Sequence, residues 1–445
     1  MPYSFIYKFI EKNHFQEILK NTGWLLFDRL ARLIMSLFIG ILLARYLGPN
    51  NFGLLNYALA YVAIISVISN MGLDSVVIKE LTINPKSESI ILGSAWGLKI
   101  IGAIATVIIC SSTVLEFSSN GEKVLLIITL ILSFGSLFQT ADVIDFLYQA
   151  KMKSNLSVIS RSGAFFIASL VKLFLIYFEA SLIIFALATI LEFIVCGIMY
   201  IYTYQIAGGD VKKWKFNGLQ AFLLIKASWP LFFSGILVLI YIKIDQIMIG
   251  NMLGNRDLGI YSVAVRITEI WYFIPMAITS AVFPTIIKLK AEDENGYLKI
   301  LEYLYLLMMW LAVALAFILT FTASPLVEKL FGANYVDAAT VVKIQCWSAI
   351  FIFSGLVSNQ WYLLEGKVHF VFYRNILGVF INVTLNLFAI PRLGIEGSAF
   401  ATLITQLIIS YMFDFVNAST RNIFYIRTKI FFLFIPMTYN IIFKK

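Results

Sequence analysis

The sequence predicts an all-α integral membrane protein of about twelve transmembrane helices, and three observations carry that prediction. Of 445 residues, 60% are hydrophobic and only 13% charged, against roughly half and roughly a quarter in soluble domains. Apolar runs of about 20 residues, the length that crosses a bilayer, recur along the whole chain and leave no extramembrane domain between them. Basic residues fall in alternate short loops beside those runs, the topological signature of membrane proteins.

Apolar runs read against their breakers place spans 1 to 12 at residues 24–46, 54–73, 89–111, 123–147, 157–178, 181–204, 219–244, 259–286, 299–322, 339–363, 371–391 and 396–417. A further run at 423–443 is interrupted by Arg427, Lys429 and Pro436, so it is either a thirteenth span or an interfacial helix. Residues 1–23 read as a weakly amphipathic cytoplasmic segment with Lys8, Lys12 and Lys20, lacking the apolar core and small-residue cleavage site of a signal peptide.

The net charge of +9 does not point to nucleic acid, because its Lys and Arg residues form no dense patch. They set orientation instead. Alternate loops hold Lys79 and Lys86; Lys151 and Lys153; Lys212, Lys213 and Lys215; Lys288 and Lys290; Lys367 and Arg374; then Arg421, Arg427 and Lys429. The intervening loops hold mostly single bases such as Arg45, Arg256, Lys329 and Arg392. Positive loops stay in the cytoplasm, so the N-terminus is expected there. Cys110, Cys196 and Cys346 are far apart in apolar runs, and His14 and His369 have no cluster at ligand spacing, so neither disulfides nor a metal site are expected.

Two turns resemble each other. Leu47-Gly48 and Phe52-Gly53 follow span 1; Leu253-Gly254 and Leu258-Gly259 follow span 7, each pair 206 residues on (253 − 47, 259 − 53). Ala186-Leu187-Ala188-Thr189 is echoed by Ala399-Phe400-Ala401-Thr402. These echoes predict two six-helix bundles, 24–210 and 211–417, followed by a C-terminal segment at 418–445. Six is even, so the halves run in the same sense, one of the known transporter plans. Gly48, Gly53, Gly254 and Gly259 are expected turn residues, and Asp245 is expected to cap or anchor the turn after span 7. The competing reading is that turns of similar length recruit similar glycines.

The chain resembles the Wzx-type oligosaccharide flippases of the multidrug/oligosaccharidyl-lipid/polysaccharide (MOP) exporter superfamily. The residues that carry the resemblance are Arg29 leading into Leu43-Ala44-Arg45-Tyr46-Leu47-Gly48-Pro49 and Phe52-Gly53, then Asp245-Gln246-Ile247-Met248-Ile249-Gly250, and Pro391-Arg392-Leu393-Gly394-Ile395-Glu396-Gly397-Ser398-Ala399. It reaches to about residue 417. The resemblance implies two bundles in a V around a central cavity, alternating access, and a bacterial cytoplasmic membrane. Its implied cargo is an undecaprenyl-diphosphate-linked repeat unit of O-antigen, capsule or exopolysaccharide. It implies membrane lipids and polysaccharide polymerase machinery as partners, no cofactor, and coupling to a proton or sodium gradient.

Charges inside spans are costly and line cavities or pair with each other. Arg29, Arg32, Lys99, Lys226 and Arg266 supply the donors a diphosphate needs. Ser262, Arg266 and Glu269 form a polar stripe along span 8, with Trp271 and Tyr272 beside it as candidates to stack on sugar rings. Lys226 and Arg29, near span ends, equally fit snorkelling to headgroups. Asp142 and Asp145, on one face with Gln149, and Glu192 midway along span 6 are candidate ion-coupling acids, and Glu192 alternatively pairs with Lys172. Two other functions compete. A multidrug exporter of the same fold would favour a carboxylate-dominated cavity, whereas the spans hold as many bases as acids. A sugar polymerase or ligase needs a large outer region, which the short loops around 112–122 and 323–338 do not provide. No Gly-x-x-x-x-Gly-Lys loop is present.

The basic-loop alternation makes a direct prediction. Reporter fusions after Lys153, Lys213 and Lys290 should read cytoplasmic, and fusions near Asn50, Asn120 and Gly332 external; a consistent inversion would overturn the orientation.

Overall fold

A computed structural model describes the backbone of residues 12–117 and 123–431. Residues 1–11 of the expected N-terminal segment, 118–122 of the loop after span 3, and 432–443 of the last apolar run lie outside the described residues. Every regular element among the described residues is helical. Among the described residues, ten continuous stretches are long and apolar enough to cross a membrane. Two of these hold two spans each: Lys12–Asn70 breaks at Gly48 (φ 70°, ψ 170°) and His369–Leu407 at Gly394 (φ 61°, ψ −142°). Both breaks use the φ > 0 region that glycine alone enters without steric cost. Ten stretches therefore accommodate the twelve expected spans, and the chain is a multi-pass membrane protein.

Several helices outrun their apolar cores. Span 7, expected at 219–244, is part of a helix at Gly218–Leu253, and span 9, expected at 299–322, part of one at Glu294–Phe331. Hydropathy marks the stretch that faces lipid, while the backbone hydrogen-bond ladder continues until a residue such as Gly254 (φ 97°) or Gly332 (φ 94°) ends it. Three spans are interrupted by a 3-10 turn, at Thr140–Asp142, Ile270–Tyr272 and Cys346–Ser348. The first and third stand 206 residues apart (346 − 140), the offset of the two glycine turns.

The described residues form two compact units, one drawn from residues up to 46 and from 58–236, the other from 47–57 and from 237 onward. The division falls within span 7 rather than at 210/211 because the first half of that span packs into the first unit. Ala221 and Leu224 join a core with Leu73, Val77, Leu92, Leu98, Val143 and Tyr200. The backbone of Leu231 and Phe232 passes so close to Gly72 that an added Cβ would lie 2.6 Å from the Phe232 nitrogen. The second unit has its own core around Leu301, Leu304, Met308, Phe353, Val357 and Tyr362.

Within the second unit the two glycine turns meet each other. A Cβ on Gly53 would stand 1.7 Å from the Asn255 carbonyl oxygen, and one on Gly259 would stand 2.0 Å from the Pro49 carbonyl oxygen. Gly48 and Gly254 carry the positive φ of the two turns but face open space. The four glycines thus divide into two that turn the chain and two that let backbones touch.

The C-terminal helix at 421–431 belongs to the second unit's core through Ile423 and Ile430. Arg427, counted above among loop bases, is 4% exposed and forms an ion pair with Asp414, which is 1% exposed. Tyr362 donates a hydrogen bond to the same carboxylate, and Arg427 also donates to the Ser410 carbonyl. Arg374, the other base assigned to a loop, is 6% exposed and donates to Asn359. Both are corrections: hydropathy averaged over a window reads a lone arginine as an interruption, and only packing reveals a partner for it.

The two classes of glycine are separable by experiment. Gly48→Ala introduces φ strain alone, about 1–2 kcal/mol, whereas Gly53→Ala or Gly259→Ala must force two backbones apart, at least as costly as overpacking a core at about 1–3 kcal/mol. In thermal unfolding of detergent-purified protein, both latter variants should melt below Gly48→Ala. Equal melting temperatures for all three would remove the close approach as a constraint.

Candidate functional site

Five segments of the first unit wall a cavity of about 510 Å³. The broken span 4 contributes most of it: Phe138 and Gln139, Asp142, Asp145 and Phe146, and Gln149 recur at helical spacing and share one face. Asp74, Ser75 and Ile78 come from the short helix Leu73–Ile83, Arg32 from span 1, Arg161 from span 5, and Glu192, Phe193 and Tyr200 from span 6. The wall is therefore polar and charged with aromatic faces among the polar groups.

Most of its charges are paired, as the low dielectric of a membrane interior demands. Lys99, 2% exposed, sits 3.2 Å from Asp142, donates to Asn70 at 3.2 Å, and lies 5.2 Å from the Phe146 ring centre. Arg32 pairs with Asp28 at 2.6 Å, as their four-residue spacing allows, and Ser162 donates to the other Asp28 oxygen. Arg161 lies 3.5 Å from Asp145, which also accepts from Gln149 at 2.9 Å and from Ser157. Lys172 stands 4.0 Å from Glu192. Two atoms of the lining residues are buried with no hydrogen-bond partner: Nε of Arg32 and Oδ1 of Asp74.

The expected site residues separate into groups. Arg32, Asp142, Asp145 and Glu192 line this cavity together. Lys99 does not; its ammonium is taken up by Asp142 and Asn70 behind the wall. Arg29 and Lys226 are exposed and line neither this cavity nor the smaller one of the second unit, and snorkelling to headgroups remains one of their two readings. Arg266 and Glu269 fall in the second unit. The Arg266 guanidinium lies 5.8 Å from the Phe52 ring, while Glu269 lines a smaller cavity of about 80 Å³ with Asp245, Tyr261, Asn382, Thr402 and Gln406. Ser262, the third member of the expected stripe, is buried with its hydroxyl oxygen unpartnered. Trp271 is 37% exposed, and Tyr272 packs edge-on against Phe353.

Asp245 is the clearest departure from expectation. It lies about two turns inside the helix Gly218–Leu253 rather than at the turn. Tyr261 donates to it at 3.1 Å, Asn386 at 2.9 Å and Thr402 at 2.8 Å. Asp28, Asp145, Asp245 and Asp414 are the buried carboxylates among the described residues. The first two and the last pair with an arginine; Asp245 is held by neutral donors. A carboxylate in such a shell is able to exchange those donors for a proton or a small cation.

Among the charged and amide groups of these sites, Arg161, Asp74 and Asn386 escaped the sequence reading. Arg161 opens span 5 and looks like a flanking base, although its spacing from Ser157 puts both on the face that meets Asp145. Asp74 opens the short helix after Gly72 and reads as an ordinary first-turn acid. Asn386 is a polar residue in an apolar run with no local signal at all.

The sequence profile of the family described as polysaccharide biosynthesis protein matches residues 18–290, and that of MatE matches residues 230–388. The capsular polysaccharide biosynthesis protein CapF of Staphylococcus aureus is 22% identical over 406 residues, 89% of this chain and 98% of CapF. Among solved structures, the fold is similar to an inward-facing multidrug resistance MATE family transporter of the MOP superfamily, with a TM-score of 0.70 and 14% identity over 85% of this chain and 92% of that one. It is also similar to the lipid II flippase MurJ in an inward closed conformation, with a TM-score of 0.67 and 15% identity over 93% and 91% of the two chains. The chain belongs to the polysaccharide biosynthesis protein family.

Proposed function

We propose that this protein is a secondary transporter, not an enzyme, that flips an undecaprenyl-diphosphate-linked oligosaccharide from the cytoplasmic to the outer leaflet by alternating access. The observation that carries the reading is the first unit's cavity. Carboxylates, amides and arginines set among Phe138, Phe146, Phe193 and Tyr200 offer what a saccharide needs: dense hydrogen-bond donors and acceptors for hydroxyls, and aromatic faces for the apolar side of the ring. By sequence the cavity residues lie close to Lys79, Lys151 and Lys153, the bases that mark the cytoplasmic side, where a newly made lipid-linked glycan is loaded.

Arg32 and Arg161 take the diphosphate in this reading. Each reaches the cavity, each offers a fork to phosphate oxygens, and each is held meanwhile by an aspartate that the phosphate replaces. Lys99 keeps Asp142 in place, and Arg266 serves the second unit. One observation favours a second reading, a multidrug or cation antiporter: four acids and two arginines line the cavity, an excess that suits cationic drugs. Three of those acids have a basic partner, which blunts that attraction.

Two experiments test these assignments. Arg32→Ala and Arg161→Ala should each weaken binding of undecaprenyl diphosphate by roughly ten- to a hundredfold, the value of one or two charge-assisted hydrogen bonds. Lys99→Ala should chiefly lower the melting temperature. Unchanged affinity in both arginine variants, together with displacement of the lipid by a cationic dye, would replace the flippase with the antiporter. The second experiment concerns energy coupling to a proton or sodium gradient. Transport by a Glu192→Gln variant, a double Asp142→Asn/Asp145→Asn variant and an Asp245→Asn variant is compared with and without each gradient. At least one should lose its gradient dependence; full dependence in all three would show that these carboxylates are structural.

A further inference from the structure

We propose that the first unit's cavity selects neutral or amino-bearing sugars against acidic ones, and that Asp74 makes the selection; this rests on the flippase reading above. The charges around the cavity balance in pairs except for one. Span 1 brings Asp28 and Arg32, span 3 Lys99, span 4 Asp142 and Asp145, span 5 Arg161 and Lys172, and span 6 Glu192. These four acids and four bases form the four ion pairs at 2.6, 3.2, 3.5 and 4.0 Å. Asp74, on the cavity wall, is left over. Among the described residues no base lies within ion-pair distance of it.

Asp74 is half-satisfied. Asn70 donates to its Oδ2 at 3.1 Å, while Oδ1 is buried and has no partner. A buried carboxylate oxygen without a donor is costly, and the cost is recovered when a ligand supplies one. A sugar hydroxyl, an acetamido N–H and an ammonium all do so. A uronic or other acidic sugar instead presents a second carboxylate, and the repulsion between like charges away from bulk water is strong. Arg32 is the natural counter-charge for an acidic sugar, but Asp28 occupies it and the diphosphate claims it when cargo binds.

As a first-turn acid, Asp74 also complements the dipole of its own helix, so the test must read selectivity and not stability. Full-length protein in nanodiscs is titrated with three probes: undecaprenyl diphosphate bearing N-acetylglucosamine, the same lipid bearing glucuronic acid, and the sugar-free lipid diphosphate. The N-acetylglucosamine lipid should bind at least about tenfold more tightly than the glucuronic acid lipid, the value of one charged hydrogen bond. Asp74→Asn keeps the shape and removes the charge, and should bring the two within about threefold of each other by removing most of that difference. Equal or tighter binding of the glucuronic acid lipid to the unmodified protein would overturn the proposal without any variant, as would an unchanged ratio in a well-folded Asp74→Asn protein. Equal binding of both sugar lipids leaves the flippase reading standing and removes only the selection. Failure of all three lipids to bind removes both.

Discussion

The constraint on which the rest of this structure depends is the cost of charge inside a membrane. A carboxylate or guanidinium in a span must find a partner, a cavity or the interface, and the chain uses all three. Lys99 and Asp142, Arg32 and Asp28, Arg161 and Asp145, and Arg427 and Asp414 are pairs. Lys226 and Arg29 stay at helix surfaces. Asp74 and Asp245 are the acids that meet amide and hydroxyl donors in place of a base. Paired charges hold helices in register; an acid without a base is one whose state a ligand, proton or cation can change. The functional reading follows from that sorting more than from the number of charges.

Pairing also explains why this cavity suits an exchange of partners. Each arginine on its wall already rests against an aspartate, so it enters the membrane at tolerable cost and is still able to turn to a stronger anion. In the exchange proposed above, the hydroxyls of Ser162 and Ser157, which already donate to Asp28 and Asp145, remain with those carboxylates when the arginines turn to phosphate.

The repeat has a physical meaning in the fold. Turns related by the 206-residue offset meet in the second unit, where Gly53 and Gly259 permit backbone contact. The same offset relates the 3-10 turns at Thr140–Asp142 and Cys346–Ser348. In span 4 that turn lies beside the cavity; in span 10 the corresponding region is followed by Ser354 and Ser358, which accept from Arg427 at 3.3 Å. Similar chain geometry thus borders an open cavity in one half and a buried arginine clasp in the other.

By itself the sequence determined the membrane class, the twelve spans, the glycine turns and the family resemblance, because each depends on local composition: apolar length, φ > 0 at glycine, and short motifs. It also offered the pairing of Glu192 with Lys172 as one of two readings of that acid, and the two stand 4.0 Å apart. Only the tertiary structure decided which charges face a cavity. Lys99 looks like a cavity base and lies behind the wall; Arg161 looks like a flank and lies on it; Asp245 looks like a turn residue and is the centre of a buried node. Arg374 and Arg427 look like loop bases and are buried. Those roles depend on which helix packs beside which, through partners as distant in sequence as Asn386 is from Asp245, and no local pattern records such an encounter.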